Sequence, residues 1–115
     1  MQLDLRERGG VSLLQLNGRL VDGHGDQELR EAVDVLLDSG RTRIVVDLSG
    51  VSAIDSAGLG ELVASARRVA RAGGALKALH PRERVVHVMN IARVLPLFEV
   101  FETEDQAVAS FTTDA

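Results

Sequence analysis

The chain has 115 residues, 45% of them apolar, and a formal net charge of −4, which suits one globular domain over residues 1–115 with a modest core. The acidic balance excludes a broad basic surface for nucleic acid, and the absence of cysteine excludes disulfides and thiolate metal sites and fits a reducing cytoplasm. No signal-peptide pattern begins at Met1, and no uncharged apolar run is long enough for a bilayer. We therefore expect a cytoplasmic protein without membrane insertion.

The first part of the chain predicts a hairpin followed by a loop. Leu3 and Leu5 alternate with charged residues, which is typical of a half-buried strand. Gly9-Gly10 is a hairpin signal, and 11–17 supplies the second strand. The glycine-rich segment 18–25 then predicts a loop, because glycine adopts positive φ angles easily.

An amphipathic helix is predicted next. Asp26 lies near its start, and Gly40 is a natural stop after its last turn. The apolar residues recur at helical spacing: Leu29, Ala32, Val33, Leu36 and Leu37.

The centre of the chain reads as strand, loop and helix. The apolar run 44–46 predicts a strand buried on both faces, and the segment 49–52 is turn-rich. From Leu59 onward the apolar residues fall at helical spacing. Asp55 and Ser56 therefore lie where a helix begins, and Ser56 is a good N-cap because its oxygen can accept from the first free amides.

The rest of the chain predicts two further strands and two further helices. Residues 75–79 form a short strand, and Pro81 suits the first turn of a helix with Val85, Val86 and Met89 inward. Segment 97–101 is predicted to be a short strand or extended. Residues 103–106 fit a capping box, and the buried side of the last helix is expected to carry Ala107, Val108 and Phe111. Alternating strands and helices indicate an α/β layer with parallel crossovers after an antiparallel hairpin.

The start of the central helix is the candidate site. A helix N-terminus presents unpaired N–H groups and partial positive charge, and both favour a phosphate. Gly58, in the first turn, has no side chain to obstruct a close approach. The local pattern leaves a plain alternative open, in which Ser56 only caps a helix.

Other constellations favour no chemistry. Gly58-Leu59-Gly60 is half a dinucleotide fingerprint, but Val63 stands where the third glycine would be, and no P-loop sequence occurs. The three histidines have no metal-ligand spacing; His24 is expected in an exposed loop and His87 on a helix surface. The sequence does not indicate that a base, a nucleophile and an electrophile come together around Asp47 and Asp55. We therefore expect neither enzymatic activity nor a cofactor, and we expect three basic residues to form the exposed side of the central helix: Arg67, Arg68 and Arg71.

The run from Val45 to Leu59 resembles the signature of the STAS family, in particular the free-standing bacterial anti-sigma factor antagonists. In that family an aspartate-serine pair, a small residue and Gly-Leu open the second helix, and residues 55–59 match this order. Many members carry Ser or Thr where this chain has Ala57. Because alanine has no hydroxyl, Ser56 is the only phosphorylation candidate within the motif. The resemblance implies a small mixed sheet with an N-terminal hairpin and about four helices packed largely on one side.

The resemblance also implies a function. The unphosphorylated protein would bind an anti-sigma factor that is also a serine kinase, and so release a sigma factor. Phosphorylation of Ser56 by that kinase would switch binding off, and a metal-dependent serine phosphatase would restore it. ATP and magnesium would belong to the kinase.

The partner surface is expected to join two segments, 22–25 and 55–62. Both follow strands, and in α/β layers such loops gather at one edge of the sheet. The residues assigned to it, partly through the resemblance, are Asp22, Gly23, His24, Asp55, Ser56, Ala57, Gly58, Leu59 and Glu61.

A second function stays open. Some small STAS proteins are accessory subunits of membrane lipid transporters, bound to the ATPase. Such a subunit should be encoded beside a permease and an ATPase, and an antagonist beside a kinase or sigma factor.

Overall fold

The structure, a computed structural model, describes residues 1–112. The elements follow one another as β1 (Gln2–Arg8), β2 (Val11–Leu20), α1 (Asp26–Asp38), β3 (Arg43–Ile54), α2 (Ser56–Arg71), β4 (Ala75–Leu79), α3 (Glu83–Ile91), a 3-10 helix (Leu95–Leu97), β5 (Val100–Phe101) and α4 (Glu104–Ala109). The predicted order of strands and helices is confirmed.

The strands form one mixed sheet in chain order, β1-β2-β3-β4-β5. The hairpin β1–β2 is antiparallel, and every later pair of neighbouring strands is parallel. The crossover helices α1, α2 and α3 pack on one face, whereas α4 packs on the other. The predicted STAS-like architecture, with helices largely on one side, is confirmed.

The sheet separates two apolar cores. The larger lies under α1, α2 and α3 and includes Leu14, Leu16, Leu20, Leu29, Val33, Val46, Leu48, Leu62 and Met89. The smaller lies under α4 and consists of Val11, Leu13, Val45, Leu79, Ala107 and Phe111. Strand β3 therefore contributes to both faces, as its apolar run predicts.

Two turns confirm the predictions made for the first half of the chain. Gly9 and Gly10 connect the hairpin with φ of +58° and +80°, the combination that a two-residue I′ turn requires. Gly40 follows α1 at φ +74°, and the Arg41 N–H donates to the Leu36 carbonyl at 2.9 Å. This closes the C-terminus of α1 as a Schellman motif does.

The predictions of a turn at 49–52 and of a loop beginning at Gly18 are wrong. Strand β3 runs unbroken to Ile54 and β2 to Leu20. Two irregularities in their pairing make this possible, because each accommodates a residue of β3 that has no partner on β2. Gly50 permits this, since a Cβ there would lie 2.0 Å from the Asn17 side-chain oxygen. The longer strands carry the chain to the edge where α2 begins.

The later boundaries also differ from the predictions. Helix α3 begins at Glu83 rather than Pro81, because Arg82 is extended (φ −65°, ψ 154°) and donates from Nε to the Ser49 carbonyl at 2.7 Å. Leu97 ends a 3-10 helix, so β5 is confined to Val100–Phe101. Thr103 caps α4, accepting from the Gln106 N–H at 3.2 Å, as the capping box predicts.

Candidate functional site

Asp55 connects the two segments predicted to form the partner surface. It follows β3 directly and is the N-cap of α2, with its Oδ1 accepting from the Gly58 N–H at 2.9 Å. Its Oδ2 accepts from the backbone N–H of Asp22 at 3.0 Å. Residues 22–25 and the start of α2 are therefore neighbours at the edge of the sheet where β2 and β3 end.

The same hydrogen bonds set the charge of Asp55. Donation from the backbone N–H of Gly58, and then from that of Asp22, favours the carboxylate and lowers the pKa of Asp55 from its ordinary value of 3.8. Asp55 therefore carries a negative charge at neutral pH. It sits at the positive end of the α2 dipole, which stabilises that charge.

The prediction that Ser56 caps the helix is wrong. Ser56 is the first residue of α2, and the cap is Asp55, whose extended backbone (φ −117°, ψ −174°) aims its carboxylate back at the first turn. The Ser56 side chain is exposed and takes part in no hydrogen bond within residues 1–112. Because capping does not occupy its hydroxyl, Ser56 is available for chemistry.

The segment 21–25 is a tight turn rather than an open loop. Val21 and His24 exchange two backbone hydrogen bonds of 2.8 and 2.9 Å, with Gly23 at φ +74°. Oδ1 of Asp26 also accepts from the Gly23 N–H at 3.1 Å. Asp22, Gly23 and His24 are all exposed, so a partner can reach them on a backbone that is already fixed.

Gly58 and Leu59 are buried. A Cβ on Gly58 would lie 1.9 Å from the carbonyl oxygen of Leu20, so the glycine is needed for α2 to pack against the end of β2. This corrects the expectation that Gly58 leaves room for a phosphate. Leu59, 6% exposed, belongs to the main core, and both residues position Ser56 while offering little surface of their own.

Glu61 is tied into a polar network between α1 and α2. Its Oε2 accepts from Ser65 Oγ at 2.9 Å and from Arg68 at 3.1 Å, and Arg68 Nε donates to Asp34 on α1 at 3.1 Å. The prediction that Arg68 lies on the exposed side of α2 is therefore wrong, although Arg67 and Arg71 are exposed. Only 15% of the Glu61 side chain is accessible.

Gly60 is a feature of the site that the sequence reasoning missed. It is exposed inside a helix, and among the described residues no atom counted as a contact, apart from neighbouring helix backbone, lies within 4 Å of where its Cβ would be. It stands one turn after Ser56, so the two share one face of α2. Glycine is a poor helix former, so its place inside a predicted helix is the signal that distinguishes it; the dinucleotide-like spacing of Gly58 and Gly60 does not.

The site offers an exposed hydroxyl next to a carboxylate and an ordered turn. Within residues 1–112 there is no group of three or more His, Cys, Asp or Glu side chains arranged to hold a metal ion. No helix in that part of the chain is both long and apolar enough to cross a bilayer. The exposed Ser56 hydroxyl is therefore accessible to another molecule.

Comparison with known proteins identifies the family to which this fold and sequence belong. The STAS domain model matches residues 2–107. BtrV of Bordetella bronchiseptica, provisionally assigned as an anti-sigma factor antagonist, is 27% identical over 113 residues, covering 98% of this chain and 97% of its own. The fold is also that of a Thermotoga maritima protein with the same provisional assignment: the TM-score is 0.86 at 23% identity, over 94% of this chain and 92% of that one.

The fold and the site together define a small domain with one mixed sheet that presents an exposed serine at the first position of a helix. This chain belongs to the STAS domain family. The fold is shared with the phosphorylated form of the Bacillus cell fate determinant SpoIIAA as well, with a TM-score of 0.74 at 20% identity over 96% of this chain and 99% of that one.

Proposed function

We propose that this protein is an anti-sigma factor antagonist whose switch is phosphorylation of Ser56. The observation that carries the proposal is the exposed Ser56 hydroxyl at the first position of α2, free of hydrogen bonds within residues 1–112. A kinase can reach such a group without unfolding the helix, because capping is left to Asp55.

Two comparisons support this role. BtrV, similar over nearly its whole length, carries the same provisional assignment, and the structure of phosphorylated SpoIIAA indicates that the fold accommodates phosphorylation. The partners of this chain are an anti-sigma factor with serine kinase activity, which holds its own ATP and magnesium, and a metal-dependent serine phosphatase. Through the anti-sigma factor, the domain controls transcription from the cytoplasm without binding nucleic acid.

The partner surface is built on the exposed and half-exposed residues at the end of β2 and the start of α2. Asp22, Gly23 and His24 form one side, Asp55, Ser56 and Ala57 the other. The hydrogen bond between Asp55 and the Asp22 N–H keeps the two sides in register. Gly58 and Leu59 support this surface from below, and Glu61 borders it.

The switch is electrostatic. A phosphate on Ser56 adds about −1.5 to −2 charges beside the Asp55 carboxylate. The free domain tolerates the added charge because Ser56 is exposed to water and lies at the positive end of a helix. An interface packed over Ser56 must desolvate or pair it, and leaving a buried charge unpaired costs roughly 2–5 kcal/mol. Binding should therefore weaken on the order of 30- to 4,000-fold.

The test is calorimetric titration of the cognate kinase with three forms of the domain: unmodified, phosphorylated on Ser56, and Ser56→Asp. We expect tight, much weaker and intermediate binding, since one carboxylate carries less charge than a phosphate. Ser56→Ala should bind like the unmodified domain and accept no phosphate. Equal affinity of the unmodified and phosphorylated forms would contradict the switch and favour a constitutive subunit role.

A further inference from the structure

Strand β1 has a free edge and an exposed apolar face. It is the first strand in the order of the sheet, so among the strands of residues 1–112 only β2 pairs with it. Leu5, at its middle, is 50% exposed, and Val35 on α1 is 63% exposed. Together with Leu3 and Leu36 they line an open apolar groove of about 340 Å³. Unpaired strand edges with exposed apolar residues are templates for pairing with another chain.

The charges on β1 are complementary to the same strand running in the opposite direction. Asp4 and Arg6 flank Leu5 in the sequence. Because side chains alternate along a strand, both lie on the face of the sheet opposite Leu5. If two copies of β1 pair antiparallel about a two-fold axis at Leu5, Asp4 of each copy stands opposite Arg6 of the other, twice. Directly opposite side chains on one face are close enough to interact.

Other symmetric registers are worse. A two-fold axis through Asp4 places that carboxylate opposite its own copy, and an axis through Arg6 does the same with two guanidinium groups; like charges directly opposite are destabilising. Only the register centred on Leu5 has two attractive pairs and no like-charged pair, and it also brings the two Leu5 side chains together. Asp4 forms no ion pair within residues 1–112 and so is available for it.

We propose that β1 pairs antiparallel with β1 of a second copy, centred on Leu5, to form a continuous sheet across a two-fold dimer. The Leu5 side chains of the two copies then cover the apolar grooves beside each Val35. The Asp22–Ser56 surface lies at the end of β2 and β3, not along the β1 edge, so it stays open in both copies. Because the pairing is antiparallel, the two surfaces face opposite ways. The proposal does not depend on the proposed function.

The experiment is sedimentation equilibrium of the full chain over about 5–500 µM, since dimer formation follows mass action. The wild type should dimerise within that range. Leu5→Lys, which places two ammonium groups at the axis, and D4R, which turns both attractive pairs into repulsive ones, should each raise the dissociation constant by at least about tenfold. V100K, on the opposite sheet edge at a residue 39% exposed, is the matched control and should dimerise as the wild type does.

A charge exchange tests the register itself. D4R and R6D should each dimerise at least about tenfold more weakly than the wild type, whereas their mixture should form a heterodimer, because each altered position then faces an opposite charge. R6D also removes the contact of Arg6 with Glu104, so its folding is checked by circular dichroism. A wild type that stays monomeric overturns the proposal and leaves the groove to a different protein. Dimerisation that V100K abolishes, that Leu5→Lys leaves intact, or that the mixture does not restore also overturns it.

Discussion

Oδ2 of Asp55 lies 3.0 Å from the backbone nitrogen of Asp22, so a single side chain joins the turn after β2 to the helix after β3. Its other oxygen caps that helix through Gly58. Asp55 is therefore the helix cap, a role that a serine at the start of a helix often has. The hydroxyl of the adjacent Ser56 is left exposed and without a hydrogen bond to any described residue.

Because Asp55 and not Ser56 caps α2, substitutions at these two adjacent residues should affect stability differently. Asp55→Ala should lower the thermal unfolding midpoint by several degrees, because it removes the N-cap and the hydrogen bond to Asp22 together. Ser56→Ala should change the free energy of unfolding by less than about 0.5 kcal/mol, since its hydroxyl forms no hydrogen bond with residues 1–112 that could be lost. Urea unfolding of the two variants decides the matter. If Ser56→Ala proves the more costly change, the assignment of the cap is wrong.

The depressed pKa of Asp55 predicts a loss of stability in acid. Because its pKa is lower in the folded domain than the ordinary 3.8, the group stabilises the fold above that value, and the contribution is lost as the pH falls through the folded-state pKa. Asp55→Asn keeps a capping side chain without the charge, so its stability should fall less steeply below about pH 4.

Unfolding experiments across that range, with carbon-13 NMR titration of the Asp55 carboxyl, test this prediction. Glu104 also has a lowered pKa, through hydrogen bonds from Arg6 and then Arg8. Glu104→Gln is therefore the matched variant that separates the second contribution. An Asp55 carboxyl that titrates at or above its ordinary pKa would contradict the prediction.

The order of elements followed from the sequence because periodicity, caps and glycine stops agree along most of the chain. What the sequence concealed depends on contacts between distant segments. The pairing irregularities of β3 require Gly50 to lie against Asn17, and neither partner reveals the other. Asp55 and Ser56 are both good caps, so local pattern could not rank them.

The burial of a lysine in β4 is a second feature that the sequence could not predict. The strand was predicted correctly, but nothing in its sequence indicates that Lys77 would be only 4% exposed. Under α4, its ammonium group bonds Ser110 Oγ at 2.9 Å and lies 4.2 Å from the centre of the Phe111 ring. These partners lie just after the C-terminus of α4, more than 30 positions further along the chain, so only the fold reveals how the charge is accommodated.

Two glycines of α2 should respond in opposite ways to the same substitution. Gly58→Ala should destabilise the domain by about 1–3 kcal/mol, because its Cβ would overlap the Leu20 carbonyl and force α2 outward. Gly60→Ala should stabilise it by about 0.5–1 kcal/mol, since residues 1–112 leave open space at that position and alanine is the better helix former. Urea unfolding curves compare the pair directly. Equal effects in the same direction would show that α2 does not pack on Leu20 as described.

Two acidic residues at the proposed partner surface should behave differently when their charge is reversed. Asp22 is exposed, and its side chain forms no hydrogen bond within residues 1–112. Asp22→Lys should therefore weaken binding to the kinase, mainly through a slower association rate of about three- to tenfold, with little change in stability. Glu61→Lys should also lower the free energy of unfolding, by about 1–2 kcal/mol, because it breaks the bonds to Ser65 and Arg68.

Stopped-flow association with the kinase, paired with urea unfolding of the same preparations, separates the two effects. Glu61→Gln is the matched control, because it keeps an acceptor oxygen for Ser65 and Arg68 while removing the charge. If Glu61→Gln binds like the wild type and Glu61→Lys does not, the reversed charge or the broken network accounts for the loss, and Glu61 itself is not a contact. An Asp22→Lys variant that associates as fast as the wild type would remove the turn after β2 from the partner surface.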